Sequence, residues 1–124
     1  MYKVARSDNT IAYDVDDTLI MWDKNYLKPF KGAIEMTCPY DGAVTYHRPH
    51  KRHIDFLKKQ HAKGYTILVW SAAGAKWAEA AVKALELEDH VDMIMSKPQK
   101  WVDDLPKQIV TGKPSLNRAT SCRL

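Results

Sequence analysis

Short apolar runs alternate with helix-like patterns along this chain, and that alternation is typical of an α/β layer fold with a largely parallel sheet. The apolar runs predict three buried strands and the start of a very short fourth, at Ile11–Val15, Tyr65–Trp70, Asp92–Met95 and Trp101–Val102. Helices are predicted at about 50–62 and from about residue 75 onward, and Trp77 falls on the apolar face of the second helix. The pattern therefore predicts strands and helices in regular succession.

The rest of the chain is less regular. Residues 20–48 are punctuated by proline and glycine, and we interpret them as an insertion with a β-hairpin, too small for a domain of its own. Residues 105–124 form a tail to which the pattern assigns no element. A total of 124 residues suits one hydrophobic core, so a single domain over residues 1–124 is expected.

Composition indicates where the protein is expected to work and what kind of partner it is expected to bind. No run approaches the roughly 18 apolar residues of a membrane span, and the first ten residues lack the apolar core of an export signal. Cys38 and Cys122 lie outside any zinc-ligand spacing and do not make a disulfide framework, so a cytoplasmic, reduced protein is expected. The net charge of +4 favours an anionic partner such as a phosphate ester, without separating metabolites from nucleic acids.

Polar side chains gather where the predicted strands end. They are Asp14, Asp16, Asp17 and Thr18 after the first strand, Ser71 after the second, Lys97 after the third, and Asp103 and Asp104 after the fourth. In an open α/β sheet the carboxyl ends of the strands face one crevice, where ligands bind. We therefore expect these side chains to converge on one site.

The chemistry of that set suits a phosphate and a hard cation. Asp14 and Asp16 can both face the crevice, where neighbouring carboxylates repel unless a cation such as Mg²⁺ lies between them. Ser71 and the N–H groups of Ala72 and the next residue precede a helix and form a candidate anion site. Lys97 adds a compact positive charge. We interpret Asp17 as a turn-stabilising or solvated acid.

Four motifs in order resemble those of the haloacid dehalogenase-like (HAD) superfamily of phosphohydrolases. They are Asp14-Val15-Asp16-Asp17-Thr18-Leu19, Ser71 after an apolar strand, Lys97 before Pro98, and Asp103-Asp104. The resemblance spans roughly residues 11–104 and implies a Rossmann-like, three-layer α/β domain with a mostly parallel sheet. It departs from the usual pattern in its short spacing between Lys97 and Asp103 and in its lack of a cap domain.

The resemblance also implies a role for each matched position. Asp14 would be the nucleophile that forms an aspartyl-phosphate, Asp16 the general acid and later the base, and Lys97 the group that steadies the intermediate. Thr18, Ser71, Ala72 and Lys97 would bind phosphate. Mg²⁺ would be held by Asp14, Asp16 through its main-chain carbonyl, and an acid of the last pair, with Asp104 favoured over Asp103 as the direct ligand.

The expected function is Mg²⁺-dependent hydrolysis of a phosphomonoester. A capless site would be open to a nucleotide, a sugar phosphate or a nucleic-acid end, or would be covered by a second copy in a homo-oligomer. Two alternatives are a phospho-accepting receiver domain, with Asp55 as acceptor, and a non-catalytic phosphate-binding module of the same fold. The aromatic residues of the insertion could stack on a base or pack over the sheet edge. The histidines around residues 47–61 are expected on a solvated, basic helix.

Overall fold

The computed structural model describes Tyr2 and residues 4–104, and its centre is a three-stranded parallel sheet. The strands are β1 (Thr10–Asp14), β5 (Thr66–Ser71) and β6 (Met93–Ser96), in the order β1-β5-β6. The register aligns Asp14 with Trp70 and Ser71 with Ser96, so the three carboxyl ends lie side by side. The α/β class with parallel strands is therefore confirmed.

The insertion forms a second sheet, which is antiparallel. Its strands are β2 (Ile20–Met21), β3 (Ile34–Thr37) and β4 (Val44–Pro49), in the order β2-β4-β3. β3 and β4 make the predicted hairpin, whose connection at residues 38–43 turns through Gly42 at φ 79°, a backbone conformation that glycine adopts without strain. The second sheet thus gives the insertion more order than its sequence indicates.

Two helices cover one face of the parallel sheet. Helix α1 (Lys51–Ala62) precedes β5, and helix α2 (Ala75–Ala84) joins β5 to β6, with a 3₁₀ turn at Glu88–His90. Both helices contribute to one buried cluster with alternate residues of β5, namely Leu57, Trp77, Ala78, Ala81, Val82, Ile67 and Val69. Because both helices pack against the same alternate residues of β5, they lie on the same face of the sheet. The described residues therefore form two layers, and the predicted third layer stays a prediction.

Most predicted elements match the structure within one or two residues, but the fourth strand differs. Trp101 and Val102 lie outside any strand of the described residues, so the short fourth strand is wrong, and Val102 is fully exposed. Pro49 ends β4, and His50 is the N-cap of helix α1. The tail at 105–124, with Cys122, lies outside the described residues. Neither helix in the described part is long and apolar enough to cross a membrane.

Candidate functional site

The loop after β1 is a compact turn closed on one carbonyl group. The backbone N–H groups of Thr18, Leu19 and Ile20 all donate to the carbonyl of Val15, at 3.2, 3.0 and 3.1 Å. Asp17 adopts φ 59° at the bend, and its carboxylate accepts a hydrogen bond from the N–H of Trp22 at 3.2 Å. Asp17 is therefore the turn-stabilising acid that the sequence predicts, and the turn sets the positions of its neighbours.

The N-terminal end of helix α1 contacts this loop through two histidines. The ring Nδ1–H of His53 donates to the carbonyl of Thr18 at 2.7 Å, and the N–H of His50 donates to the carbonyl of Leu19 at 2.9 Å. His50 accepts from the backbone N–H of His53 as the helix N-cap, and the two imidazoles stack with centroids 3.5 Å apart. The two histidines thus connect the helix to the loop that carries Thr18.

Thr18 carries the most informative polar atom of the loop. Its Oγ1 is buried and has no hydrogen-bond partner among the described residues. A buried hydroxyl without a partner costs roughly 1–3 kcal/mol, so most buried hydroxyls in folded proteins are satisfied. The carbonyl of the same residue is fixed by His53. The backbone of Thr18 is therefore fixed, while its buried hydroxyl lacks a hydrogen-bond partner among the described residues.

Asp16 is oriented by two indole rings. Its Oδ1 accepts from Trp22 Nε1 at 2.8 Å and from Trp77 Nε1 at 3.2 Å. Trp22 follows β2 in the insertion and Trp77 lies on helix α2, so this carboxylate connects the insertion to helix α2. Since Oδ1 accepts two N–H groups, a proton on this carboxylic acid would reside on Oδ2.

Ser71, at the end of β5, is fully buried and ties the strand ends together. Its carbonyl accepts from the N–H of Lys97 at 2.9 Å and of Gly74 at 3.1 Å, while its Oγ accepts from the N–H of Ala73 at 3.0 Å. The expected anion donor at Ala73 is therefore already engaged by Ser71. Ala72 lies exposed in the same turn, before helix α2.

Ideal strand geometry gives the expected distances between the Cα atoms of the predicted residues. With strands about 4.8 Å apart and a rise of about 3.3 Å per residue, the Cα atoms of Asp14 and Ser71 lie about 6 Å apart, and those of Asp14 and Lys97 about 12 Å apart. Lys97 is exposed and follows β6 directly. Asp14, Ser71 and Lys97 thus share one edge of the sheet, and the lysine side chain must extend across β5 to approach Asp14.

The predicted metal ligands are not gathered into one cluster among the described residues. Within residues 4–104 no three or more Asp, Glu, His or Cys side chains lie close enough to hold a metal ion. Asp103 Oδ1 accepts from the N–H of Asp104 at 2.7 Å, which turns that carboxylate toward its own backbone. The carboxylate and carbonyl oxygens predicted as ligands are those that Mg²⁺ prefers, and Mg²⁺ commonly uses one or two protein carboxylates plus water and substrate oxygens. The donor chemistry fits magnesium, while the full ligand set stays a prediction.

Helix α1 is mostly exposed and carries His53 and His61, as the sequence predicts, but His47 lies on β4 instead. Alternation along β4 turns His47 inward, where it is fully buried, and its Nε2 lies 2.7 Å from Thr45 Oγ1. Its ring packs edge-on against Trp22 at 4.4 Å and Trp77 at 6.2 Å. Burial lowers the pKa of His47, an effect partly opposed by the charges of Asp16 and the neighbouring acid. His47 therefore supports the two indoles that bind Asp16.

Tyr13 is a second buried group beside the site. Its hydroxyl has no partner among the described residues, and burial raises its pKa to about 12. It directly precedes Asp14 and packs edge-on against Phe56 of helix α1, with ring centroids 6.5 Å apart. The residue before the predicted nucleophile is thus held in an apolar environment.

Sequence reasoning missed the contacts of Asp16 and misplaced one histidine. Trp77 was expected only in the core, and it is buried, yet its indole N–H also reaches Asp16. Only the position of Trp22, six residues after Asp16 and just beyond the turn, hinted at its contact. The role of His53 depends on how helix α1 packs against the loop, which no local pattern reveals.

Comparison of the chain with protein-family models, with curated proteins and with solved structures finds no match.

Proposed function

We propose that this protein is a Mg²⁺-dependent phosphatase that hydrolyses a phosphomonoester through an aspartyl-phosphate at Asp14. The observation that carries the proposal is the buried hydroxyl of Thr18, which lies in the turn that follows β1 and has no hydrogen-bond partner among the described residues. It lies in the same short segment as Asp14 and Asp16, while Ser71 ends β5 and Lys97 directly follows β6. This set provides acids, a hydroxyl and a cation at one sheet edge, as phosphoryl transfer requires.

The first step proposed is attack by a carboxylate oxygen of Asp14 on phosphorus. The P–O bond to the leaving group breaks, and Asp16 donates its proton to the departing oxygen. The bonds from Trp22 and Trp77 to Oδ1 of Asp16 support this role, because they leave Oδ2 to carry the proton. Water then attacks the aspartyl-phosphate, Asp16 takes a proton from that water, and Asp14 is released with inorganic phosphate.

The remaining residues would bind the phosphoryl group. Thr18 Oγ1 would donate to a phosphoryl oxygen, and Ser71 and the N–H of Ala72 would face the same group. Lys97, extended across β5, would offset its negative charge. Removing the Thr18 hydroxyl should therefore weaken phosphate binding more than it disturbs the fold.

Magnesium would be held by Asp14, by the main-chain carbonyl of Asp16 and by an acid of the last pair. Asp104 is favoured there, because the Asp103 carboxylate already accepts from its neighbour's N–H. When bound, the ion would neutralise charge on the phosphoryl oxygens and keep the two early carboxylates from repelling one another.

The receiver alternative has less support. Asp55, which would be its phospho-acceptor, lies exposed within helix α1, whereas a receiver's acceptor ends a buried strand. A non-catalytic phosphate-binding module of the same fold differs from our proposal only in turnover. A cytoplasmic setting and a phosphorylated metabolite or nucleic-acid end as substrate complete the proposal.

The test is phosphate release from 4-nitrophenyl phosphate with and without Mg²⁺, in the wild type, Asp14→Asn and Asp55→Asn. We expect Mg²⁺-dependent turnover that Asp14→Asn lowers by several powers of ten, since binding and electrostatics alone leave only a residual rate. Asp55→Asn is the matched control and should keep wild-type activity. Binding of phosphate without turnover would favour the non-catalytic module instead.

A further inference from the structure

A cleft of about 320 Å³ opens beside Asp16, between the hairpin connection at 38–43 and the start of helix α2. The residues that shape it come from the insertion and from the helix, namely Asp16, Trp22, Tyr40, Asp41, Thr45 and Trp77. Ligand sites in proteins commonly have volumes of about 300–1,000 Å³, so this cleft has room for one small ring system. Its contact with Asp16 places it beside the group that would protonate a leaving oxygen.

Several of the polar atoms that line the cleft are engaged within the chain. Asp16 Oδ1 accepts from the two indoles, and Thr45 Oγ1 lies 2.7 Å from the ring of His47. Asp41 Oδ1 accepts from the N–H of Ala43 at 2.9 Å, and a side-chain hydrogen bond from Cys38 also reaches this carboxylate. A sugar entering the cleft would lose hydrogen bonds to water and find few partners in exchange.

Aromatic surface dominates the rest of the cleft. Trp22 is 41% exposed and Tyr40 57% exposed, although both are large rings that proteins usually cover. The Tyr40 hydroxyl lies against Gly74 so closely that a Cβ atom there would collide with it. The tyrosine ring is therefore seated between the hairpin and helix α2, with a face left open.

We propose that this cleft binds a planar aromatic ring carried by the leaving group of the phosphomonoester. The inference rests on the proposed function, because the cleft lies beside Asp16, the residue that would protonate the leaving group. Stacking against exposed aromatic side chains is favourable for any flat ring, and few hydrogen bonds are needed. The ring can belong to an aryl phosphate or to the base of a nucleotide, whereas a plain sugar phosphate lacks it.

The experiment measures binding separately from turnover. Isothermal calorimetry with Mg²⁺ compares adenosine 5′-monophosphate, 4-nitrophenyl phosphate and ribose 5-phosphate on the Asp14→Asn variant, and phosphate release from the same three is measured on the wild type. We expect the better aromatic ligand to bind roughly tenfold or more tightly than ribose 5-phosphate. The stronger of the two aromatic ligands identifies the source of the ring.

Variants of Tyr40 locate the effect. Tyr40→Leu should reduce the aromatic preference several-fold, and Tyr40→Phe, which keeps the ring, should retain it. Phe56→Leu changes an exposed aromatic residue on helix α1, away from the cleft, and should leave the preference at the wild-type value.

Each outcome bears on one of the two proposals. Equal binding of ribose 5-phosphate and both aromatic ligands, no binding of any of the three at millimolar concentration, or a preference unchanged in Tyr40→Leu would overturn the aromatic assignment. Aromatic preference in binding without phosphate release would support the cleft and overturn the phosphatase. Turnover of all three substrates at equal kcat/KM would leave the phosphatase standing without the aromatic site.

Discussion

The substitution Thr18→Val separates a ligand-binding hydroxyl from a structural one. Valine keeps the shape of threonine and removes only the hydroxyl group. In the free protein Thr18 Oγ1 is buried and, among the described residues, lacks a partner. Removing a buried unsatisfied group recovers its desolvation cost of roughly 1–3 kcal/mol, so the variant should unfold at higher temperature. For a domain of this size the rise in Tm should be roughly 4–12 °C.

The same substitution should weaken phosphate binding. A hydrogen bond to a charged group contributes about 1.5–3 kcal/mol, so its loss raises the Kd for phosphate roughly 10- to 100-fold. The ligand-induced rise in Tm should shrink accordingly, because a ligand that binds only the native state stabilises it in proportion to ln(1 + [L]/Kd). Stability and affinity are thus expected to move in opposite directions.

The assay is thermal unfolding by differential scanning fluorimetry, with and without millimolar phosphate and Mg²⁺. Thr18→Ser keeps a hydroxyl and should retain the shift caused by phosphate. Thr37→Val, on the exposed side of β3, should change neither Tm nor phosphate response. A Thr18→Val variant that is less stable than the wild type and binds phosphate equally well would refute the reasoning.

Three further predictions concern the surroundings of the site. Trp22→Phe removes an N–H donor to Asp16 Oδ1 and should lower kcat more than it raises KM, as steady-state kinetics would report. Burial raises the pKa of Tyr13 to about 12, so as the pH rises the unfolded chain loses this proton before the folded chain does. The free energy of unfolding should therefore fall between about pH 10 and 12. Urea titrations should show a smaller fall in Tyr13→Phe. Because the pKa of His47 is lowered, the unfolded chain gains this proton before the folded chain does as the pH drops. The free energy of unfolding should therefore fall below about pH 6.5. A His47→Gln variant that loses as much stability at acid pH as the wild type would contradict this.

Regular elements were predictable here because their signals are local. The apolar run at β5 and the four-residue spacing in helix α2 predicted both elements closely, since each reflects burial against the common core. The placement of Asp14, Ser71 and Lys97 at one edge followed from parallel strands alone. The strand ends therefore indicated most of the candidate site.

Features that depend on packing between distant segments could not be read in this way. His47 lies among basic residues, so the sequence indicated a solvated segment and not the strand alternation that turns this side chain inward. The indole contacts of Asp16 require the insertion to pack against helix α2, and the support of Thr18 by His53 requires helix α1 to lie against the loop. These are tertiary contacts without a periodic signal in the sequence.

The most direct test of the central claim is to locate the covalent phosphate. The protein is incubated with Mg²⁺ and acetyl phosphate, quenched in acid and reduced with borohydride, which converts an aspartyl-phosphate to homoserine that peptide mass spectrometry can place. We predict modification at position 14, and none at Asp55. Modification at Asp55 would support a receiver domain, and turnover without any modification at position 14 would contradict an aspartyl-phosphate mechanism.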